Sequence, residues 1–211
     1  MIQRAGQRRM LEQVRRNCGV EDSRVLEALG RVPRHLFVDE ALRHRAYVDD
    51  ALPIGFAQTI SKPSTVALMT AALELQPGDR VLELGTGSGY QAAVLSHLAE
   101  RVYSVERIGA LALRARRLLI ELGLHNVEVR AGDGAAGWPG AAPFQGIIVT
   151  AAAGKVPEGL LLQLDLGGHL VIPVADGEGQ WLKRIVRTEE DQWCEERLDA
   201  CRFVPFVTER A

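Results

Sequence analysis

The stretch Val81-Leu82-Glu83-Leu84-Gly85-Thr86-Gly87-Ser88-Gly89-Tyr90 decides the fold. The apolar run before Gly85 reads as a buried strand, the three glycines as a tight turn, and the residues from about Tyr90 as a helix. Strand, glycine turn and helix in that order form the first crossover of a nucleotide-binding α/β sheet. Glycine lets the backbone pass close to a ligand, and the helix start offers N–H groups with no partner inside the helix. A dinucleotide fingerprint, G-x-G-x-x-G, would need glycine at position 90. Tyr90 stands there, and the glycines fall as G-x-G-x-G. Glu83, just before the turn, suits the ammonium of an amino-acid-bearing cofactor better than a pyrophosphate.

Outward from this unit, strands and helices alternate. Strands are predicted over Arg80–Leu84, 102–105, 127–130, 144–150 and 168–174, with helices over 91–99, 108–122 and 160–164 between them. That alternation predicts a doubly wound, mostly parallel sheet. The tail differs: 181–187 and 193–207 read as strands joined by a polar turn, hence an antiparallel hairpin at one sheet edge. Upstream, residues 1–50 read as a helical cap, with Asp22 or Ser23 starting its second helix. Residues 51–64 read as a loop punctuated by Pro53, Gly55 and Pro63. A helix from Thr65 to about Leu75 follows, with Ser64 as its cap. The whole chain, 1–211, is expected to form one domain, with 65–211 as the sheet core.

The chain has 211 residues, 47% hydrophobic and 25% charged, with a formal net charge of −2. That charge gives no reason to expect a polyanion partner. The arginines at 4, 8, 9, 15 and 16 read as the solvated face of a helix. No apolar leader opens the sequence and no apolar run reaches the ~18 residues of a membrane span. Cys18, Cys194 and Cys201 are an odd number without C-x-x-C spacing, which suggests a reducing, cytoplasmic setting and no zinc site. The five histidines, His35, His44, His97, His125 and His169, form no pair at ligand spacing. Nucleic acid, membrane and metal are therefore not expected, and a monomer is.

The string E-L-G-T-G-S-G, residues 83–89, resembles motif I of S-adenosylmethionine-dependent methyltransferases. In an open parallel sheet, ligands sit at the carboxyl ends of the strands. Three acidic residues belong there: Glu83 after the first sheet strand, Glu106 after the second, and Asp133 after the third. One carboxylate can accept from both hydroxyls of a ribose diol, and Glu106 is placed for it. Asp133 is placed to accept from the adenine amino group, with the Gly134 backbone against the ring.

Motifs along the rest of the chain are similar to those of protein-L-isoaspartate O-methyltransferases. They are Pro33-Arg34-His35-Leu36-Phe37-Val38, Leu52-Pro53-Ile54-Gly55 and Gln58-Thr59-Ile60-Ser61-Lys62-Pro63, then Ser104-Val105-Glu106-Arg107, Leu124-His125-Asn126-Val127, Gly132-Asp133-Gly134, Ile172-Pro173-Val174 and Arg202-Phe203-Val204-Pro205. The resemblance implies a Rossmann-like class I methyltransferase fold. It also implies an enzyme that binds S-adenosylmethionine, releases S-adenosylhomocysteine, and methylates the side-chain carboxylate of L-isoaspartyl residues in damaged proteins. The ester then closes to a succinimide, whose hydrolysis returns some aspartate. By this resemblance Ser61 carries the loop hydroxyl at the reacting group, and Thr59 and Ile60 lie over the cofactor. The expected cofactor set is Thr59, Ile60, Ser61, Glu83, Gly85, Thr86, Gly87, Gly89, Glu106, Asp133 and Gly134. Two departures stand out: Ala57 where the family commonly has glycine, and Lys62 after the serine. Val207 is apolar where some relatives carry a polar residue, so no cofactor contact is carried over to it.

A carboxylate with pKa near ~4 is already ionised at neutral pH, so its methylation requires no general base. Ser61 is therefore expected to orient the carboxylate rather than activate it. Two other readings share the cofactor residues: a methyltransferase for a small molecule or RNA, and a non-catalytic module on the same fold. A dehydrogenase is disfavoured by Tyr90.

Overall fold

The computed structural model describes residues 2–207. Two helices open the chain, α1 (Ile2–Cys18) and α2 (Ser23–Arg31). Asp22 starts α2, its side chain accepting from the Arg24 N–H. Arg8, Arg9, Arg15 and Arg16 are exposed along α1, as a solvated face requires; the Arg4 side chain lies outside the described residues. Two 3-10 turns, Arg34–Leu36 and Glu40–Arg45, complete the cap.

Residues 51–64 are not the irregular loop that Pro53, Gly55 and Pro63 suggest. They hold a short antiparallel hairpin, β1 (Leu52–Gly55) and β2 (Gln58–Ile60), pairing Leu52 with Ile60. Pro53 stands on an isolated two-stranded sheet, where a missing ladder donor is tolerated. The next helix, α3 (Pro63–Ala71), begins at Pro63, two residues earlier than expected. Proline fits the first helical position because its missing N–H would have had no partner there. Ser64 is consequently inside the helix and does not cap it; its backbone N–H donates to Asp49 Oδ1 at 2.8 Å.

The main sheet then builds through β3 (Arg80–Leu84), α4 (Tyr90–Leu95), β4 (Arg101–Glu106), α5 (Gly109–Glu121), β5 (Val127–Ala131), β6 (Phe144–Val149), α6 (Glu158–Leu161), β7 (Leu164–Ala175), β8 (Gln180–Glu189) and β9 (Gln192–Ala200). Its strand order is β5-β4-β3-β6-β7-β8-β9. The pairs from β5 to β7 are parallel, and β7–β8 and β8–β9 are antiparallel. Val81, Leu82 and Leu84 are fully buried. Burial on both faces is why β3 reads as a nearly continuous apolar run rather than an alternating one. The cap packs on one sheet face, where Met10, Val14 and Leu29 join the core that contains Val81, Ile148 and Val171.

From β3 the chain winds outward through β4 to β5, then returns to place β6 on the other side of β3. The reversal leaves a crevice at the carboxyl ends of β3 and β6, the usual ligand position in such sheets. The last strand is shorter than the predicted 193–207. After Ala200 the chain leaves the sheet edge and crosses back, with Pro205 bridging to Ala152. Pro205 cannot donate to a ladder, which marks the departure.

Candidate active site

The glycine turn is shaped by what lies against it. Gly85 has φ +98°, and a Cβ there would collide with Thr150 Oγ1. That hydroxyl lies 2.7 Å from the Gly85 carbonyl oxygen and 3.1 Å from that of Leu84. Gly89, at φ +88°, would bring a Cβ to 3.1 Å from the Ala115 Cβ, so this glycine sets the close approach of α5. Gly87, at φ +53°, would bring one to 3.4 Å from Ile54 Cδ1. The β1–β2 hairpin therefore lies directly over the turn. Arg114 on α5 holds it there by donating to the Ile54 carbonyl at 2.8 Å.

Glu106, at the end of β4, is buried with both carboxylate oxygens engaged. One accepts from the Gly87 N–H and the other from the Ile108 N–H, each at 2.8 Å. A carboxylate oxygen has two acceptor positions, so each keeps one for a ligand. Both bonds fix Glu106 in the wall of a cavity of about 290 Å³ lined also by Thr59, Gly85, Gly87, Ile108 and Gly134. Val204, Pro205, Phe206 and Val207 close its other side. The residues present fit an adenosyl cofactor: an anchored acceptor for a diol, bare glycine backbone, and an apolar wall for a flat base.

A larger cavity, about 520 Å³, adjoins it and contains Ser61, Lys62, Asp50, Asp199 and Arg202 in its wall. Thr59 and Thr150 line both. A narrow space of about 40 Å³ runs beneath, bounded by Ile60, Ser61, Thr86, Gly87 and Tyr90. Ser61 is half-buried at the junction. No histidine lines any of these three spaces.

The structure thus brings Thr59, Ile60, Ser61, Gly85, Thr86, Gly87, Glu106 and Gly134 to one crevice, and three expected residues stand elsewhere. Glu83 is fully buried and lines none of the cavities. Side chains alternate along a strand, so Glu83 shares the Val81 face, beneath α4, rather than pointing out of the strand end. Its Oε2 accepts from Ser104 Oγ at 2.5 Å, and Ser104 in turn pairs with Thr86 Oγ1. Burial, reinforced by the Glu106 charge, pushes its pKa up to about 8. Asp133 turns its carboxylate to the Ala135 N–H at 2.8 Å, capping a 3-10 turn, and leaves Gly134 at the cavity wall. Gly89 serves helix packing.

Residues not singled out from sequence complete the crevice. Thr150 looked like the last position of a strand, and 204–207 like a strand continuation. Pro205 was the available signal that the latter could not pair normally.

Residues 5–211 match the family model for protein-L-isoaspartate(D-aspartate) O-methyltransferase. A protein-L-isoaspartate O-methyltransferase of Pseudomonas paraeruginosa is 60% identical over 190 residues, covering 90% of each chain. One of Syntrophotalea carbinolica is 54% identical over 200 residues, covering 95% of this chain and 92% of its own. Among solved structures, a Plasmodium falciparum chain described as a putative enzyme of this kind, in complex with S-adenosyl-L-homocysteine, superposes with a TM-score of 0.84 at 24% identity. The match covers 94% of this chain and 96% of that one, and bears on the fold alone. The glycine turn, the hairpin over it and the crevice they enclose are thus those of a chain that belongs to the protein-L-isoaspartate(D-aspartate) O-methyltransferase family.

Proposed function

We propose that this chain methylates the side-chain carboxylate of L-isoaspartyl residues in proteins, with S-adenosylmethionine held in the smaller cavity and the peptide in the larger. The observation that carries this reading is the position of Thr59 and Ser61. Thr59 lies in the wall shared by the two cavities, and Ser61 lines the larger one and the narrow space beneath. Glu106 would hold the ribose diol, and Ile108, Val204 and Phe206 would flank the base. Gly134 presents backbone to that base, and the neighbouring Asp133 accepts from the Ala135 N–H through Oδ1. Glu83 supports the turn from below through Ser104 and Thr86.

When bound, the cofactor supplies a methyl group on a cationic sulfur. The protein must place a carboxylate oxygen about 3–3.5 Å from that methyl and in line with it. Ser61 is suited to donate its hydroxyl to one substrate oxygen and leave the other free to attack. Charge is neutralised as the methyl transfers, so a strong bond to the anion would oppose the reaction. One neutral hydroxyl orients without that penalty. The absence of histidine from the crevice walls agrees with a reaction that needs no general base. Lys62 and Arg202 attract an anionic peptide, while Asp50 and Asp199 limit the net charge of the cleft.

Among the described residues no helix is long and apolar enough to cross a membrane, and no group of acidic, histidine or cysteine side chains could hold a metal ion. A panel of tritiated cofactor with an isoaspartyl peptide, its aspartyl twin and an RNA tests the reading. Label should enter the isoaspartyl peptide alone. Equal labelling of the two peptides, or labelling of the RNA alone, would overturn it.

A further inference from the structure

Arg34 is the largest fully buried side chain among the described residues. No carboxylate forms an ion pair with it among the described residues. Its Nε donates to the Ala46 carbonyl at 2.8 Å. Its Nη2 donates to the Ser61 carbonyl at 2.7 Å and lies 3.4 Å from that of Asp50. The guanidinium carbon sits 4.6 Å from the centre of the Tyr90 ring. Nη1 and the Tyr90 hydroxyl are both buried; neither makes a hydrogen bond of good geometry, though the hydroxyl is near enough to the guanidinium to interact with it. Burial holds the Arg34 pKa below its usual value. Backbone carbonyls and the Tyr90 ring surround this charge in place of a carboxylate partner, and burying a charge without one is a costly way to stabilise a core.

What it does achieve is geometric. Tyr90 begins α4, immediately after the glycine turn, and Ser61 directly follows β2. One rigid guanidinium therefore touches both walls of the narrow space between Ser61 and the turn. By taking the Ser61 carbonyl inward, it also turns that negative dipole away from the cleft in which an anionic group must sit.

We propose that Arg34 is a positioning residue for methyl transfer, locking the Ser61 peptide against Tyr90 so that the Ser61 hydroxyl faces the substrate carboxylate. The proposal rests on the role given to Ser61 above. Wild-type turnover on an isoaspartyl peptide tests that role's setting by itself; the variant-to-wild-type ratio tests Arg34. Lysine keeps the charge but lacks the planar fork that reaches several acceptors at once.

The test is Arg34→Lys, with S-adenosylhomocysteine calorimetry and steady-state kinetics on an isoaspartyl peptide. The stoichiometry of binding reports the fraction of folded protein, so a destabilised variant is not mistaken for a misaligned one. At full stoichiometry and with affinity within about threefold, kcat should fall by ~10- to 100-fold and the peptide KM should rise, as misplacement by about an ångström implies. Unchanged kcat and KM would overturn the proposal. So would a large loss of S-adenosylhomocysteine affinity in a folded variant, because Arg34 would then act on the cofactor side. If Arg34→Lys does not fold, the native enzyme decides. The Arg34 Nε–H resonance of the S-adenosylhomocysteine complex should shift when an isoaspartyl peptide binds, and an invariant resonance would contradict the proposal.

Discussion

Gly85→Ala tests whether the glycine turn is dictated by its contact with Thr150, the residue after β6. Two effects act together. At φ +98° a Cβ is disfavoured by about 1–2 kcal/mol. The new methyl also collides with Thr150 Oγ1, which must rotate away from the Leu84 and Gly85 carbonyls. One hydroxyl has one proton to donate, so that loss is about 0.5–1.5 kcal/mol. The sum is about 1.5–3.5 kcal/mol, or a fall in Tm of roughly 3–14 °C for a chain of this size. Thr150→Ala separates the two. It removes Oγ1, and the added methyl then meets the Thr150 Cβ at 3.7 Å and its backbone carbonyl carbon at 3.9 Å, both ordinary contacts. In that background Gly85→Ala should lose only the dihedral penalty of about 1–2 kcal/mol. Urea unfolding of the four ligand-free proteins gives the cycle, with an expected coupling of about 0.5–1.5 kcal/mol. Equal losses in both backgrounds would show that Thr150 does not dictate the glycine.

Glu106→Ala should weaken S-adenosylmethionine binding by about 1.5–3 kcal/mol, and calorimetry showing wild-type affinity would remove Glu106 from the ribose role. Ser61→Ala should slow turnover by ~10- to 100-fold with cofactor affinity nearly unchanged; a pH–rate profile that changes shape above pH 6 would point to a base that is not expected here. Burial pushes the Glu83 pKa up to about 8 from an ordinary value of 4.5. Between these values the folded state keeps a proton that the unfolded chain releases, so its contribution is full below about pH 4.5 and is lost as pH rises toward 8. Glu83→Gln should flatten this slope in denaturant midpoints taken across that window, and an unchanged slope would assign it to other groups. Ala57, at φ +56°, occupies the hairpin tip with Phe56 at φ +55°. Ala57→Gly should relieve about 1–2 kcal/mol of strain against about 0.5–1 kcal/mol of added chain entropy, for a modest net gain; a destabilised variant would show that the tip is not strained at this position.

Much of the molecule was legible in the sequence for identifiable reasons. The parallel strands are buried on both faces and so appear as apolar runs, and the glycine spacing marked the crossover. The carboxyl-end rule put Glu106 at the crevice because its strand ends at that residue. The same rule misplaced Glu83, which lies one residue inside its strand and inherits a face, not an end. Asp133 also caps its own backbone through Oδ1, a use that the strand-end rule does not foresee. The 51–64 hairpin was hidden by its Pro53 and by a turn that uses Phe56 and Ala57 where asparagine and glycine are usual. Thr150 and 204–207 come from the end of β6 and from the tail. Their meeting with the glycine turn depends on strand order, which local pattern does not encode.

The crevice at Ser61 is proposed to methylate isoaspartyl and not aspartyl carboxylates. One peptide carrying both residues, incubated with the enzyme and S-adenosylmethionine and analysed by tandem mass spectrometry at early times, tests it most directly. The methyl ester should appear on the isoaspartyl side chain alone and decay to a succinimide with loss of methanol. An ester on the aspartyl side chain, or an unmodified peptide in the presence of enzyme that binds the cofactor, would contradict it.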